Sequence, residues 1–252
     1  VEEQIHFKNH DGEKLAGTLH LPDQPSKFGV VLGHCFTCTQ HTTILRRLAK
    51  DLIEEGFIAL RFDFSGNGQS EGEFSQSTYS KQIAEMQKAA EIVASNGAAW
   101  TGLAGHSMGG LISFLTASQT ESVNAVCAIG SRITAMKATH FLSQTQREIL
   151  ENTGQVSFTS RGRFLTVTED FFSDADHFEL QMILKAFHKP LLMVNGDKDE
   201  IIPVQEAHRA REIGDGSVDV EIIAGADHMF SRKDHRERVS ALVVDWFKKQ
   251  SK

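Results

Sequence analysis

Thr101-Gly102-Leu103-Ala104-Gly105-His106-Ser107-Met108-Gly109-Gly110 is the stretch that decides the fold. Residues 101–105 are small or apolar and read as a buried strand, and a helix follows to about residue 118. Between them stands Gly-x-Ser-x-Gly, from Gly105 to Gly109. A serine on so abrupt a strand-to-helix turn has a strained backbone, and glycines leave room around it. The turn also sets Ser107 at a helix N-terminus, where free N–H groups and the helix dipole favour negative charge. Ser107 is therefore the expected nucleophile.

On either side of this turn the chain alternates strand and helix. Segments 4–8 and 14–21, separated by Asn9-His10-Asp11-Gly12, read as a leading hairpin. Gly29-Val30-Val31-Leu32-Gly33 is a short apolar run suited to a strand buried on both faces. The expected helix from Thr42 to Glu55 has apolar positions 45, 48, 49, 52 and 53 and ends at Gly56. Strand 57–62, helix Tyr79–Ala94 and strand 123–129 continue the pattern. After a break it resumes with strand 191–195, helix 204–213, strand 218–223 and helix 235–249. This predicts an α/β fold: a mostly parallel sheet with helices on both faces and an antiparallel edge.

Residues 131–189 interrupt the alternation and are expected to form a cap over the sheet's C-terminal edge, within one domain spanning 1–252. They hold seven of the seventeen phenylalanines: Phe141, Phe158, Phe164, Phe171, Phe172, Phe178 and Phe187. Such a composition suits a lid lining an apolar pocket, and equally the insertion's own small core.

A serine hydroxyl needs a base to take its proton and a carboxylate to orient that base. In this architecture they come in the order Ser, acid, His, each in a loop after a later strand. Strand 191–195 runs into Asn195-Gly196-Asp197-Lys198-Asp199, and strand 218–223 into Ala224-Gly225-Ala226-Asp227-His228. Asp199 and His228 are the expected partners of Ser107. Asp197 is read as a turn carboxylate capping its own loop, and Asp227 as pointing away from its neighbour. His34 and His106 are read as packing or polar-lining residues, since neither follows a late strand. For the oxyanion of acyl transfer, the expected donors are the backbone N–H groups of Met108 and Phe36.

The loop carrying Phe36 reads His34-Cys35-Phe36-Thr37-Cys38. A C-x-x-C between strand and helix could be a redox pair, and His34, Cys35, Cys38 and His41 could hold zinc. The preferred reading is two small thiols lining the loop, with no metal and no cofactor. Arg61 and Asp63 are read as structural, Asp63 tying down the glycine-rich loop 65–72 by accepting backbone N–H bonds.

Composition adds limits. An apolar share of 40% and a charged share of 23% are those of an ordinary globular protein. The net charge is −7, with no basic block to suggest nucleic-acid or anionic-membrane binding, and no apolar run long enough to span a bilayer. The opening residues lack the basic and apolar regions of a signal peptide. Three cysteines form no disulfide framework, so a reducing, cytoplasmic location is expected. Nothing in the sequence sets the oligomeric state.

These motifs resemble the α/β-hydrolase superfamily over the whole chain outside the insertion. His34–Cys38, the run from Arg61 to Gly72 and Gly105–Gly110 are similar to the hydrolase domain fused to OsmC-like domains in bacteria. Arg61-Phe62-Asp63-Phe64 and Gly225-Ala226-Asp227-His228 also resemble the cinnamoyl and feruloyl esterases, which carry a cap of similar length. The resemblance implies hydrolysis of small or aromatic carboxylic esters as substrates. It departs at Cys35, where glycine is usual, and at Met108, where glutamine is frequent. Thioesterase, amidase and acyltransferase chemistry would use the same residues, and a non-catalytic binder on the same fold is the alternative of another class.

Overall fold

The computed structural model describes every residue except 135–137 and 215. The strands are β1 (Glu2–Lys8), β2 (Lys14–His20), β3 (Phe28–Gly33), β4 (Ile58–Phe62), β5 (Trp100–His106), β6 (Val123–Ile129), β7 (Gln155–Ser160), β8 (Arg163–Thr168), β9 (Leu191–Gly196) and β10 (Val218–Ile223). The helices are α1 (Thr43–Glu54), α2 (Tyr79–Ser95), α3 (Met108–Gln119), α4 (Gln144–Thr153), α5 (Glu169–Asp176), α6 (Leu180–Lys185), α7 (Gln205–Ile213) and α8 (Lys233–Gln250). Where the sequence predicts an element, the observed bounds differ by at most two residues.

Eight strands form one sheet in the order β1-β2-β4-β3-β5-β6-β9-β10. The pairs β1/β2 and β2/β4 are antiparallel and the rest are parallel, so the leading hairpin does supply the antiparallel edge. The apolar stripes of α1 and α8 cover one face, where Leu45, Leu48 and Leu52 meet Val239, Val243 and Phe247. On the other face α2 and α3 bury Ile83, Met86, Leu111, Ile112 and Leu115, and this core runs on into segment 131–189.

That segment holds α4, the antiparallel pair β7/β8, α5 and α6, which the sequence pattern did not reveal. Local signals for some of them exist. Ser143 and Gln146 form a reciprocal capping box that opens α4, and Gly154 at φ 71° closes it. Of its phenylalanines, Phe171, Phe172 and Phe187 are buried, whereas Phe164 is 76% exposed and serves neither core nor cavity. Residues 135–137 of the segment lie outside the described residues.

Near Ser107 three backbone segments converge. A Cβ on Gly105 would lie 2.2 Å from the backbone carbon of Gly109, and one on Gly109 would lie 2.2 Å from the carbonyl oxygen of Gly33. Helix α3 can reach β3 and β5 only because these positions have no side chain. Gly105→Ala is therefore expected to destabilise the fold by about 3 kcal/mol or more, an overpacking that no rotamer change relieves. Gly12→Ala, with nothing near its Cβ but φ at 80°, should cost only about 1–2 kcal/mol. Comparing their denaturant midpoints checks this, and equal losses would contradict the close-approach argument.

Candidate active site

Ser107 occupies the N-cap of α3 with φ 55° and ψ −117°, an unfavourable region for a residue with a side chain. Its N–H donates to the Ile129 carbonyl at 2.8 Å, and its own carbonyl accepts from the Ser131 hydroxyl at 2.7 Å. Bonds on both sides hold the strained turn. Ser131 was not expected at this site, although its position just past β6 could have suggested it.

Asp199 and His228 meet as the sequence predicted. Asp199 Oδ2 lies 2.8 Å from His228 Nδ1, and the carboxylate is fully buried. Its other oxygen accepts the N–H groups of Ile201 at 2.9 Å and Ile202 at 2.7 Å, which fixes its orientation. With Nδ1–H committed to Asp199, His228 Nε2 is left as the free base nitrogen. Among the described residues, the Ser107 hydroxyl makes no hydrogen bond to His228. Such contacts are often long in unliganded sites.

The rival carboxylates have other tasks. Asp197 Oδ1 accepts the Gly225 N–H at 2.6 Å, so it ties β9's loop to the loop carrying His228 rather than capping its own. Asp227 turns away from the site, as expected, and accepts from Ser231. Asp63 accepts the Gln40 N–H at 2.7 Å and the Gln69 N–H at 3.1 Å, holding the glycine-rich loop as predicted.

The two flanking histidines are structural, in a defined way. His34 donates through Nδ1 to the Cys35 carbonyl at 2.7 Å and accepts the Phe64 N–H through Nε2 at 3.0 Å. His106 donates through Nε2 to the carbonyl of His228 at 2.8 Å, and its ring lies 4.9 Å from that of His228. Burial, then the neighbouring His228, lowers the pKa of His106 to about 4. A neutral His106 thus carries the backbone of His228.

The N–H groups of Phe36 and Met108, which the sequence marks as the expected oxyanion donors, donate to no acceptor among the described residues. Cys35 does not take the positive φ that glycine would favour. Its turn differs from the expectation in another respect. The Cys38 N–H donates to the Cys35 carbonyl at 3.0 Å, the Cα atoms lie 5.1 Å apart, and the two cysteines are joined as a disulfide. That distance lies in the range a disulfide requires. The bridge is a staple within one turn, not a pair of free thiols, and Cys127 alone remains free and buried.

Ser107 opens on a cavity of about 150 Å³ lined by Phe36, Met108, Leu111, Phe141, Phe171 and Ile202. Its lining also includes Tyr79 and Arg132. The Tyr79 hydroxyl and Arg132 Nε are buried without a partner among the described residues. Burial, then Asp174 and Asp176, pushes the Tyr79 phenol above its usual range, so it stays a donor. Neither residue was singled out from the sequence, though Tyr79 is the only tyrosine in the chain.

A nucleophile elbow, a buried Asp–His pair from later loops and two free N–H groups on this sheet define an α/β-hydrolase of the serine hydrolase class. The family described as "Serine aminopeptidase, S33" matches residues 25–162, and the chain belongs to it. That match takes in the Phe36 loop and Ser107; Asp199 and His228 lie beyond it. The chain is 29% identical over 185 residues to the palmitoyl-protein thioesterase ABHD10, mitochondrial, of Mus musculus. The alignment covers 71% of this chain but only 61% of that relative. Among solved structures, Est1E from Butyrivibrio proteoclasticus with ferulic acid bound superposes with a TM-score of 0.86, at 22% identity and 98% coverage of both chains. Mouse α/β-hydrolase domain-containing protein 10 superposes at 0.77, with 21% identity and 98% and 99% coverage. No helix among the described residues is long and apolar enough to cross a membrane.

The buried histidines give the site a pH limit. Unfolded, His106 would titrate near 6.5; folded, it does so near 4. As pH falls the unfolded chain takes up the proton first. The contribution is therefore complete above 6.5 and lost as pH drops towards 4, by about 3 kcal/mol at most. His20, lowered to about 4 by burial and by Arg61, acts in the same window. The melting temperature should fall across this range, and His106→Gln should flatten part of the slope. An unchanged slope in the variant would contradict the assignment.

Proposed function

We propose that this protein hydrolyses carboxylic esters of small or aromatic acyl groups through an acyl-enzyme. Ser107 is the nucleophile, His228 the base, Asp199 its orienting carboxylate, and the N–H groups of Phe36 and Met108 the oxyanion donors. The observation that carries this reading is the Asp199–His228 hydrogen bond, made by a buried carboxylate through Nδ1, together with a strained serine that lines a cavity. Ser107 Oγ attacks the carbonyl carbon as His228 takes its proton. The imidazolium then returns that proton to the leaving oxygen, and water activated by His228 releases the acid. Ferulic acid bound to a structurally similar protein supports the aromatic acyl class.

Cavity size narrows the acyl group. A dry cavity of about 150 Å³ holds a benzene ring, so this one suits a single ring or a short chain. Unpartnered buried donors cost roughly 1–3 kcal/mol each, which an oxygen substituent on the acyl group would offset at Tyr79 or Arg132. Segment 131–189 supplies Phe141 and Phe171 to the wall and is proposed as the specificity lid. The thioesterase relative favours a second reading, thioester hydrolysis by the same residues.

A fluorophosphonate probe should label Ser107, and Ser107→Ala should lose labelling and nearly all turnover while remaining folded. Asp199→Asn should cut kcat by about 10⁴-fold through the wrong imidazole tautomer, whereas Asp197→Asn should chiefly lower stability. Substantial turnover in Ser107→Ala, or a reversed order of the two aspartates, would overturn the assignment.

With p-nitrophenyl esters, each added methylene that is buried should raise kcat/KM about fourfold, from acetate until the cavity is full. Activity should then collapse well before a sixteen-carbon chain. A steady rise to palmitate would show that the cavity does not bound the acyl group.

A further inference from the structure

On the other side of the Phe36 loop from the acyl cavity lies an open groove of about 590 Å³. Three arginines line it, Arg161, Arg163 and Arg236, together with His41 and Met229. No aspartate or glutamate is in its lining, although the chain carries a net charge of −7. Among the described residues, none of the three arginines forms an ion pair. Arg163 donates to the Thr37 carbonyl at 3.1 Å and to Asn67 Oδ1 at 2.9 Å. Arg236 donates to the carbonyls of Phe230 and Ser231, and Arg161 reaches only Met229 Sδ, at 3.5 Å.

The groove's lining includes the residue that follows the proposed base. Met229 follows His228 directly, and the charge of Arg161 is felt by His106, which holds the His228 backbone. Consecutive residues of one loop face opposite sides: Phe36 lines the acyl cavity, Thr37 and Cys38 the groove. The Thr37 hydroxyl pairs with that of Ser160 at 2.8 Å, which fixes this part of the loop. A carbonyl carbon bonded to Ser107 carries its acyl chain one way and its leaving group another. The leaving group must lie towards His228, which protonates it.

Backbone conformation adds an independent observation. The β7–β8 turn has both central residues at positive φ, Arg161 at 51° and Gly162 at 74°. Such a turn favours Asn-Gly or Asp-Gly, and a left-handed arginine costs about 1–2 kcal/mol. That conformation sets a guanidinium on the lip of the groove at the expense of local stability.

Resting on the esterase reading above, we propose that this groove binds a phosphate-bearing leaving group, so that acyl thioesters or esters of a phosphorylated thiol or alcohol are favoured substrates. In the thioester case the Ser107 Oγ–carbon bond forms, the carbon–sulfur bond breaks, and the sulfur receives the proton that His228 took from Ser107. The arginines hold the phosphates and take no part in the bond changes.

The test compares butyryl-coenzyme A with butyryl-N-acetylcysteamine, which share the acyl group and thioester but differ in phosphates. The ratio of their kcat/KM values should be about tenfold or more at low salt and fall towards one at about 0.5 M salt. Arg161→Gln should lower that ratio about fivefold, and Arg161→Lys should keep most of it. A ratio near one at all salt concentrations, or an Arg161→Gln effect equal on both substrates, overturns the proposal. An arm free of catalysis separates this from failure of the esterase reading: adenosine 3′-phosphate 5′-diphosphate titrated into Ser107→Ala. Binding weakened by salt and by an added Arg161→Gln change supports the groove even in an inactive protein. No binding overturns it even where p-nitrophenyl butyrate is hydrolysed.

Discussion

The contact of α3 with β3 and β5 through Gly33, Gly105 and Gly109 is the constraint on which the rest of the site depends. It brings the first turn of a helix against two strand ends with no side chains between. Ser107 must then adopt a backbone conformation that sequence preference opposes, and the bonds to Ile129 and Ser131 hold it there. The same close approach sets the Met108 N–H beside the end of β3, where the Phe36 loop begins. The proposed nucleophile and oxyanion donors are thus positioned by main-chain packing, and side-chain chemistry enters only with the proposed acid and base.

That second half is built from hydrogen bonds between loops. Asp199 is fixed by two backbone N–H groups, His228 by Asp199, and the loop of His228 by His106 and Asp197. The Asp199–His228 and Asp197–Gly225 bonds join the loops after β9 and β10, and His106, the last residue of β5, is bonded to the His228 loop as well. Two of these groups, the Asp199 carboxylate and the His106 ring, are fully buried. Losing either leaves a neighbour's polar atom without a partner, at roughly 1–3 kcal/mol in an enclosed site. The alternation of roles is physically consistent: His106 is kept neutral so that no second charge competes at His228.

The sheet and the Asp–His pair were legible in the sequence because each depends on local pattern. Residues 29–33 and 101–105 are too apolar to be anything but buried strands, and topology sends every parallel strand's following loop to one edge. Chain order then selected Asp199 and His228 from many acids and histidines. What the sequence did not reveal depends on contacts between distant segments. The β7/β8 hairpin lacks Asn-Gly at its turn, so Arg161-Gly162 gave no signal. Asp197 sits in a turn-forming run and reads as a local cap, whereas its partner, Gly225, is 28 residues away. The Cys35–Cys38 bridge was missed because an odd cysteine count argues against a framework and says little about a single staple. Tyr79 looks like one more apolar residue of a helix until its hydroxyl is found unpartnered.

Phe36 belongs both to the cavity wall and to the proposed oxyanion donors. Its ring lies 5.1 Å from Phe74, 5.5 Å from Phe141, 6.3 Å from Phe158 and 5.0 Å from Phe171. Three of these four come from segment 131–189, so this segment packs directly on the residue whose N–H is proposed as an oxyanion donor. Aromatic pairs of this kind contribute about 0.5–1.5 kcal/mol each beyond buried area. On the other side, the disulfide and the Arg163 bond to the Thr37 carbonyl restrain the next residues of the same loop. The Phe36 N–H is therefore fixed from the acyl side by aromatic packing and from the groove side by a covalent and a polar tie. In the proposed mechanism an acyl group that fills the cavity touches the ring whose backbone binds the oxyanion, which would couple substrate fit to transition-state stabilisation.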